Sequence, residues 1–201
     1  MNVKLESDFD RVFDTQRTYR LLLEACARPG KLLQLPEVSL EPPSGFTAFA
    51  AAIAFTLCDQ ETTFALLPQD PGVTEYLYLN TGARPVSVDQ AGFVFGQAAA
   101  ELAGLQLVRR GDLLSPEEGA TLVMLVASVM PCGPGEILIA LSGPGVDGQR
   151  RFAVNGLALA NLARVKELNE EFPLGVDAFI IDGQGRLAAI PRSAAITWEA
   201  A

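Results

Sequence analysis

The 201-residue chain has no histidine, three cysteines, three lysines and one tryptophan. The missing histidine excludes every Ser-His or Cys-His nucleophile pair, the imidazole zinc sites, and the side chain whose ordinary pKa lies nearest neutrality. Carboxylate, lysine, tyrosine and backbone chemistry remain. Cys26, Cys58 and Cys132 lie far apart with no CxxC spacing, so they indicate neither a disulfide framework nor a thiolate metal site, and they read as reduced thiols. Cys26 and Cys58 sit in the apolar stretches LLLEACA and IAFTLCD as small buried hydrophobes, and Cys132 alone, in the turn-like MPCGPGE, has a claim to exposure. Basic residues are few as well. Fifteen Lys plus Arg against 24 Asp plus Glu give 15 − 24 = −9, which argues against a nucleic-acid or anionic-membrane partner. The N-terminus lacks the apolar core of a secretory signal, and the longest apolar stretch, Phe46 to Cys58, falls short of the roughly 20 residues of a membrane-spanning helix. A cytoplasmic location is expected.

At 49% hydrophobic and 19% charged, the chain can bury a substantial core. Apolar Tyr19, Leu22, Leu23 and Cys26 recur at helical spacing within Asp14 to Ala27, with Asp14 as the expected N-cap and Pro29-Gly30 as the stop. A short strand at Lys31 to Leu35, an Ala-rich helix at Phe46 to Leu57, a buried strand at Thr62 to Leu67 and a helix from Pro71 towards Leu79 come next. Pro85 to Val88 and Phe93 to Phe95 suit short strands, and Ala98 to Leu105 a helix interrupted by Gly104. Ala120 to Val129 and Glu136 to Leu141 are continuous apolar runs, expected as central strands joined by a tight turn at PCGPG. A helix at Leu157 to Asn169 and a hairpin of Val176 to Ile181 with Leu187 to Ile190, across Asp182-Gly183-Gln184-Gly185, close the pattern. The reading is a single α/β domain over 1–201, with a mixed β-sheet flanked by helices and residues 1–7 as a flexible N-terminus.

Few constellations carry chemistry. Gly143 and Gly145, in Ser142-Gly143-Pro144-Gly145 after a strand, with Arg150 and Arg151 beyond, could cradle an anion. The same composition makes an ordinary wide turn, which is preferred, because no Gly-Lys-Ser/Thr follows and Asp147 partly cancels the attraction. A Schiff-base lysine would have to be Lys4, Lys31 or Lys166, none in a supporting context. Asp177 and Arg192 lie at the outer ends of the hairpin strands, either apart or joined as an ion pair. Glu117-Glu118 and Glu170-Glu171 read as solvated charge.

Six segments are informative as words: Asp14-Thr15-Gln16-Arg17-Thr18-Tyr19-Arg20, Ala27-Arg28-Pro29-Gly30, Glu118-Gly119-Ala120-Thr121-Leu122, Leu141-Ser142-Gly143-Pro144-Gly145-Val146, Phe172-Pro173-Leu174-Gly175-Val176-Asp177 and Ala189-Ile190-Pro191-Arg192-Ser193. In this order and spacing, from about residue 8 to 197, the chain resembles the H-subunit (PhnH) family of the bacterial carbon-phosphorus lyase system. One departure is visible, since Ser193 is followed by Ala194 where the family often has a second hydroxyl residue. The resemblance implies a fold similar to pyridoxal-phosphate-dependent transferases without their cofactor site, and therefore no cofactor. It implies structural or interface roles for Arg17, Arg20, Pro29, Gly30, Pro173, Gly175, Asp177, Pro191 and Arg192. It also implies a core complex with the G, I and J subunits, in which G, H, I and L transfer methylphosphonate to ATP with displacement of adenine. The J subunit then cleaves the carbon-phosphorus bond using an iron-sulfur cluster and a radical from S-adenosylmethionine. The expectation is an accessory, noncatalytic subunit. The alternatives are a stand-alone phosphate-, phosphonate- or nucleotide-binding transferase, and a structural homodimer.

Overall fold

The structure is a computed structural model that describes residues 5–133 and 137–200. Its first half comprises α1 (Phe13–Ala27), β1 (Leu33–Gln34), α2 (Ala48–Leu57), β2 (Thr63–Leu67), α3 (Pro71–Thr81), β3 (Arg84–Pro85) and β4 (Phe93–Gln97). The second comprises β5 (Thr121–Val126), β6 (Ser128–Pro131), β7 (Ile137–Ser142), β8 (Arg150–Asn155), α4 (Leu159–Leu168), β9 (Asp177–Asp182), β10 (Arg186–Ile190) and β11 (Ala195–Ala200). Local chemistry explains several boundaries. Thr47 Oγ1 accepts the Ala50 amide (3.1 Å) to start α2, and Asp70 Oδ1 accepts that of Val73 (3.0 Å) to start α3, with Pro71 in the first turn. Gly82 ends α3 at φ +78°, where a side chain would be strained.

The expected mixed sheet is present, and a second, separate sheet accompanies it. Seven strands lie in the order β1-β10-β9-β5-β4-β2-β3, with β3, β2, β4, β5 and β9 parallel and β10 antiparallel to both its neighbours. Four more form an antiparallel sheet, β11-β7-β8-β6. The apolar run Ala120 to Val129 divides at Ala127, whose amide bonds to the Asn155 carbonyl (3.0 Å) and carries the chain out of the first sheet into the second. Gly156 permits that approach, because a Cβ there would stand 2.7 Å from Ala127 Cβ. Nor do β6 and β7 form a hairpin: each pairs with β8, and Pro134 to Glu136, the end of the expected turn and the start of the expected strand, lie outside the described residues.

Alternation along the central strands feeds two cores. Phe64, Leu66, Phe95, Val123, Leu125, Phe179 and Ile181 point to the α1–α3 side, while Val94, Leu122, Met124, Ala178 and Ile180 point to α4 and the second sheet. Each Val, Leu, Ile, Met or Phe among them, fully buried, contributes about 2 kcal/mol. Helix α1 is rotated from its expected seating. Thr18, Leu22 and Ala25 face inward, and Tyr19 and Leu23 are 47% and 52% exposed. The small Thr18 and Ala25 let α1 approach the alanine-rich α2 closely, which two larger side chains would prevent. Its first turn is held by Asp10, which accepts the Val12 and Phe13 amides (2.8 and 2.9 Å), so Asp14 is not the cap.

Of the residues expected as a flexible N-terminus, 1–4 lie outside the described residues, but Glu6 is buried. It accepts the Tyr76 hydroxyl (3.0 Å) and the Glu41 amide (2.8 Å), and burial together with this carboxylate pushes the Tyr76 phenol well above its ordinary range.

Ala98 to Leu105 is not a helix. The Ala98 amide bonds to the Leu125 carbonyl (2.9 Å), and the side chain of buried Asn161 organises the segment after it. Its Nδ2 donates to the carbonyls of Ala98 and Ala100 (3.0 and 2.9 Å), and its Oδ1 accepts the Leu102 amide (2.9 Å). Asn161→Ala removes the bonds to the Ala100 carbonyl and the Leu102 amide, while the Ala98 carbonyl keeps the Ala158 amide (2.8 Å), and is expected to cost about 2 kcal/mol in urea unfolding. A loss within experimental error would show that water replaces the side chain.

Candidate functional site

Five of the six motif segments meet where the parallel strands begin. Arg192, just past β10, donates from its amide to Asp177 Oδ1 (2.9 Å) and from Nε and Nη2 to Oδ2 (3.2 and 2.8 Å), so the two residues form one buried-edge ion pair. Hairpin pairing supplies the reason: antiparallel β9 and β10 place the start of the first strand beside the end of the second. Arg192 Nη1 also donates to the Pro116 carbonyl (2.6 Å), fastening the loop before β5. Gly119 and Gly175 make room, since a Cβ on Gly119 would overlap the Gly175 carbonyl and press on Arg192 Nη1 at 2.8 Å. Gly175 donates its amide to the Arg110 carbonyl (2.9 Å), and half-buried Pro173 precedes it. Asn169 completes the ring, accepting the Val176 amide (2.7 Å) and donating to the Val176 carbonyl (3.1 Å).

Beside this cluster the Gly143–Gly145 turn packs on the end of α1. Gly145, at φ +80°, lies so close to the Ala27 carbonyl oxygen that a Cβ would overlap it. Arg150 Nη1 donates to the carbonyls of Arg28 and Pro29 (3.2 and 3.0 Å), and the Gly30 amide donates to Ala189 (3.2 Å). Pro29, Gly30 and Pro191 are buried in this junction. The turn thus packs on the end of α1, and Arg150 is engaged with backbone oxygens.

An open cleft of about 740 Å³ remains above it, lined by Arg28, Lys31, Cys132, Asp147, Arg150 and Arg151 among others. Arg28 and Lys31 both pair with Glu24 (3.3 and 2.6 Å), and Arg151 Nε donates to Gln149 (2.9 Å). Four cations against Glu24 and Asp147 give 4 − 2 = +2, a local inversion on a chain of net −9. The motif words contained Arg28 without singling it out, and Lys31 enters only through the fold. Arg17 and Arg20 do not join either group. They lie exposed on α1, where Arg17 stands 3.8 Å from Asp14. Glu118 and Glu171 reach Arg109 and Arg110 (3.2 and 2.6 Å), surface pairs worth well under about 1 kcal/mol each.

The thiols divide as their surroundings dictate. Burial raises Cys26 to about 11, with Asp177 adding to the effect, and Cys58 to about 12, whereas Cys132 is exposed. Both raised thiols stay protonated at pH 8, so Ellman's reagent is expected to label one thiol rapidly in the folded protein and the others only on unfolding. A second fast thiol would mean that α1 opens readily over Cys26.

At the opposite end of the strands a cavity of about 210 Å³ lies against Phe46, Phe95, Leu125, Gln69 and Asp70, bridged by the bond from Gln97 Nε2 to the Gly45 carbonyl. Among the described residues no helix is long and apolar enough to cross a membrane, and no group of three or more His, Cys, Asp or Glu could hold a metal ion.

Comparison with known proteins supplies what the geometry alone does not. Residues 7–197 match the family described as bacterial phosphonate metabolism protein (PhnH). The chain is 28% identical over 187 residues to the alpha-D-ribose 1-methylphosphonate 5-triphosphate synthase subunit PhnH of Rhizobium meliloti (strain 1021), covering 92% of this chain and 90% of that one. It is 30% identical over 188 residues to a protein of Stutzerimonas stutzeri described as C-P lyase subunit protein HtxG, covering 92% and 87%.

Proposed function

The chain belongs to the bacterial phosphonate metabolism protein (PhnH) family, and on that ground we propose that it acts as an accessory subunit of the carbon-phosphorus lyase machinery. In this reading it serves the step that forms ribose 1-methylphosphonate 5-triphosphate from methylphosphonate and ATP, with the G, I, J and L subunits as partners and the bond-making groups residing in those chains. The observation that carries it is the match across residues 7–197, together with relatives that are themselves named as subunits and are covered over most of their length. Internal contacts add support: the side chains of Asp177 and Arg192 are spent on each other and on the loop backbone. We further read the seven-stranded sheet as a pyridoxal-phosphate-transferase-like core without its cofactor lysine. Lys31 is paired with Glu24, Lys166 lies over the Trp198 ring (5.7 Å) on an outer helix, and Lys4 lies outside the described residues.

Co-expression with the G, I, J and L subunits, followed by light scattering of the material the tagged chain retains, is expected to give a stoichiometric assembly. Recovery of the lone chain or its homodimer, or turnover of ATP and methylphosphonate by the isolated chain, would overturn the reading.

The positive cleft favours a second reading, in which the chain itself holds a phosphate- or phosphonate-bearing ligand between Arg28, Lys31 and Arg151 near Gly143 and Gly145, with Arg150 fixing the floor. Calorimetry with ATP or methylphosphonate on the isolated chain is then expected to give saturable heat that Arg28→Ala with Arg151→Ala abolishes. No heat would sink it.

A further inference from the structure

The outer edge of the seven-stranded sheet is only half built. Strand β3 is two residues long, and its ladder to β2 consists of the Thr63–Arg84 and Phe64–Pro85 pairs. The last bond from that side is the Val86 amide to the Phe64 carbonyl (2.9 Å), after which the chain leaves β2. Successive residues of a strand direct their backbone groups to opposite edges, so the amide and carbonyl of Leu66 face the same way as those of Phe64, and among the described residues none continues the pairing there.

A groove of about 1200 Å³ occupies the place where the missing half-strand would lie. Its floor is Ala65–Pro68, one wall is the α3 face with Thr74 and Tyr78, and the other carries Ala103 and Leu107. Tyr78 and Leu107 are 51% and 56% exposed. An added strand projects alternate side chains to the two sides, and the groove offers an apolar surface to each. Glu75 and Asp89 stand on its rim, exposed and without a cation partner among the described residues. The edge is therefore shaped for an extended chain, apolar on both faces in the middle and basic at its flanks.

We propose that β2 accepts an extended segment of a partner polypeptide as an added strand, hydrogen-bonded at Leu66 and seated between Tyr78 and Leu107, with Lys or Arg of that segment meeting Glu75 and Asp89. The proposal deepens the subunit reading and rests on it, the occupant being a segment of one of the co-assembling subunits. It differs from side-chain docking in that a backbone amide of this chain gains a partner.

The test measures hydrogen exchange at Leu66 in the free chain and in the co-expressed assembly, and compares assembly by the wild type with that by the Tyr78→Glu, Leu107→Glu double variant. Both replaced side chains are exposed, so folding is expected to survive, and circular dichroism checks this. The expected result is that the Leu66 amide exchanges about 10-fold or more slowly in the assembly and that the double variant binds about 10-fold or more weakly. An assembly in which Leu66 exchanges as in the free chain, or which the double variant joins with wild-type affinity, overturns the groove while leaving the subunit reading intact. If the wild type joins no assembly, both fall. If instead the isolated chain dimerises with Leu66 protected and the double variant is monomeric, the occupant is a second copy and the proposal of a partner subunit is wrong.

Discussion

Arg192→Met is expected to lower the free energy of unfolding by about 3 kcal/mol. The Arg192 side chain is 14% exposed and that of Asp177 31%, so the carboxylate left behind would be largely desolvated, facing a cavity where two donated side-chain bonds had been. Only the bond from the Arg192 backbone amide would persist, because it does not depend on the side chain. Loss of the Nη1 bond to Pro116 also frees the loop fastened against Gly119 and Gly175, so the effect should spread beyond the pair. A double-mutant cycle with Asp177→Asn separates these contributions. If the ion pair dominates, Asp177→Asn in the methionine background costs almost nothing more, and the two losses are strongly non-additive. Additive losses, or a loss for Arg192→Met below about 1 kcal/mol, would show that the residue is available for contact with something outside the chain. Pairs on this protein's surface, such as Arg109 with Glu118, provide the baseline, since screening leaves them little to lose.

How much of this arrangement is legible in the sequence depends on the range of the forces involved. The start of α3 was legible because Pro71 suits a first helical turn, and the final hairpin because Asp182 and two glycines mark its turn, whereas α2 begins at Ala48, two residues after the expected Phe46, where Thr47 caps it. Strand β8 was hidden, for its first residues are the two arginines read as ligand groups, and its buried part, Phe152 to Val154, is short. Strand β11 was hidden too, because Thr197 and Glu199 interrupt its apolar residues at a sheet edge. The division at Ala127 has no local signature: ATLVMLVASV is uninterrupted, and the residue that bends it is Gly156, 29 residues later. The seating of α1 is of the same kind. Its periodicity points to the face of Tyr19, Leu22, Leu23 and Cys26, and the alanines of α2 instead select the one in which the small Thr18 and Ala25 flank Leu22. The Asp177–Arg192 pair stood as one of two alternatives until the β9–β10 register decided it, whereas the convergence of Arg28 and Lys31 with Arg150 and Arg151 depends on packing across more than 100 residues of sequence.

Gly145→Ala should separate a ligand-holding role for the Gly143–Gly145 turn from its packing role, with an expected loss of about 3 kcal/mol or more and a melting point roughly 10 °C lower. Two independent costs combine at this position. A φ of +80° disfavours any side chain, and the added Cβ would overlap the Ala27 carbonyl oxygen while lying 3.0 Å from Pro29 Cδ, atoms of a helix end and a proline ring that cannot step aside separately. The same turn contains its own control. Gly148 also has a positive φ, +66°, but a Cβ there meets nothing within 4 Å, so Gly148→Asn carries only the conformational cost, about 1 kcal/mol or less because asparagine tolerates this region. Thermal unfolding of the two variants therefore reads the contact with α1 by difference. Equal shifts would mean that the turn does not bear on Ala27, leaving Gly145 open to an anion; a large shift for Gly145→Ala alone makes the turn the clasp that joins β7 and β8 to the end of α1. In that case the cations gathered above the clasp act through Arg28, Lys31 and Arg151, whose charged ends are more exposed than the glycines' own contacts, and a ligand there should be insensitive to Gly148→Asn yet lost with Arg28→Ala and Arg151→Ala.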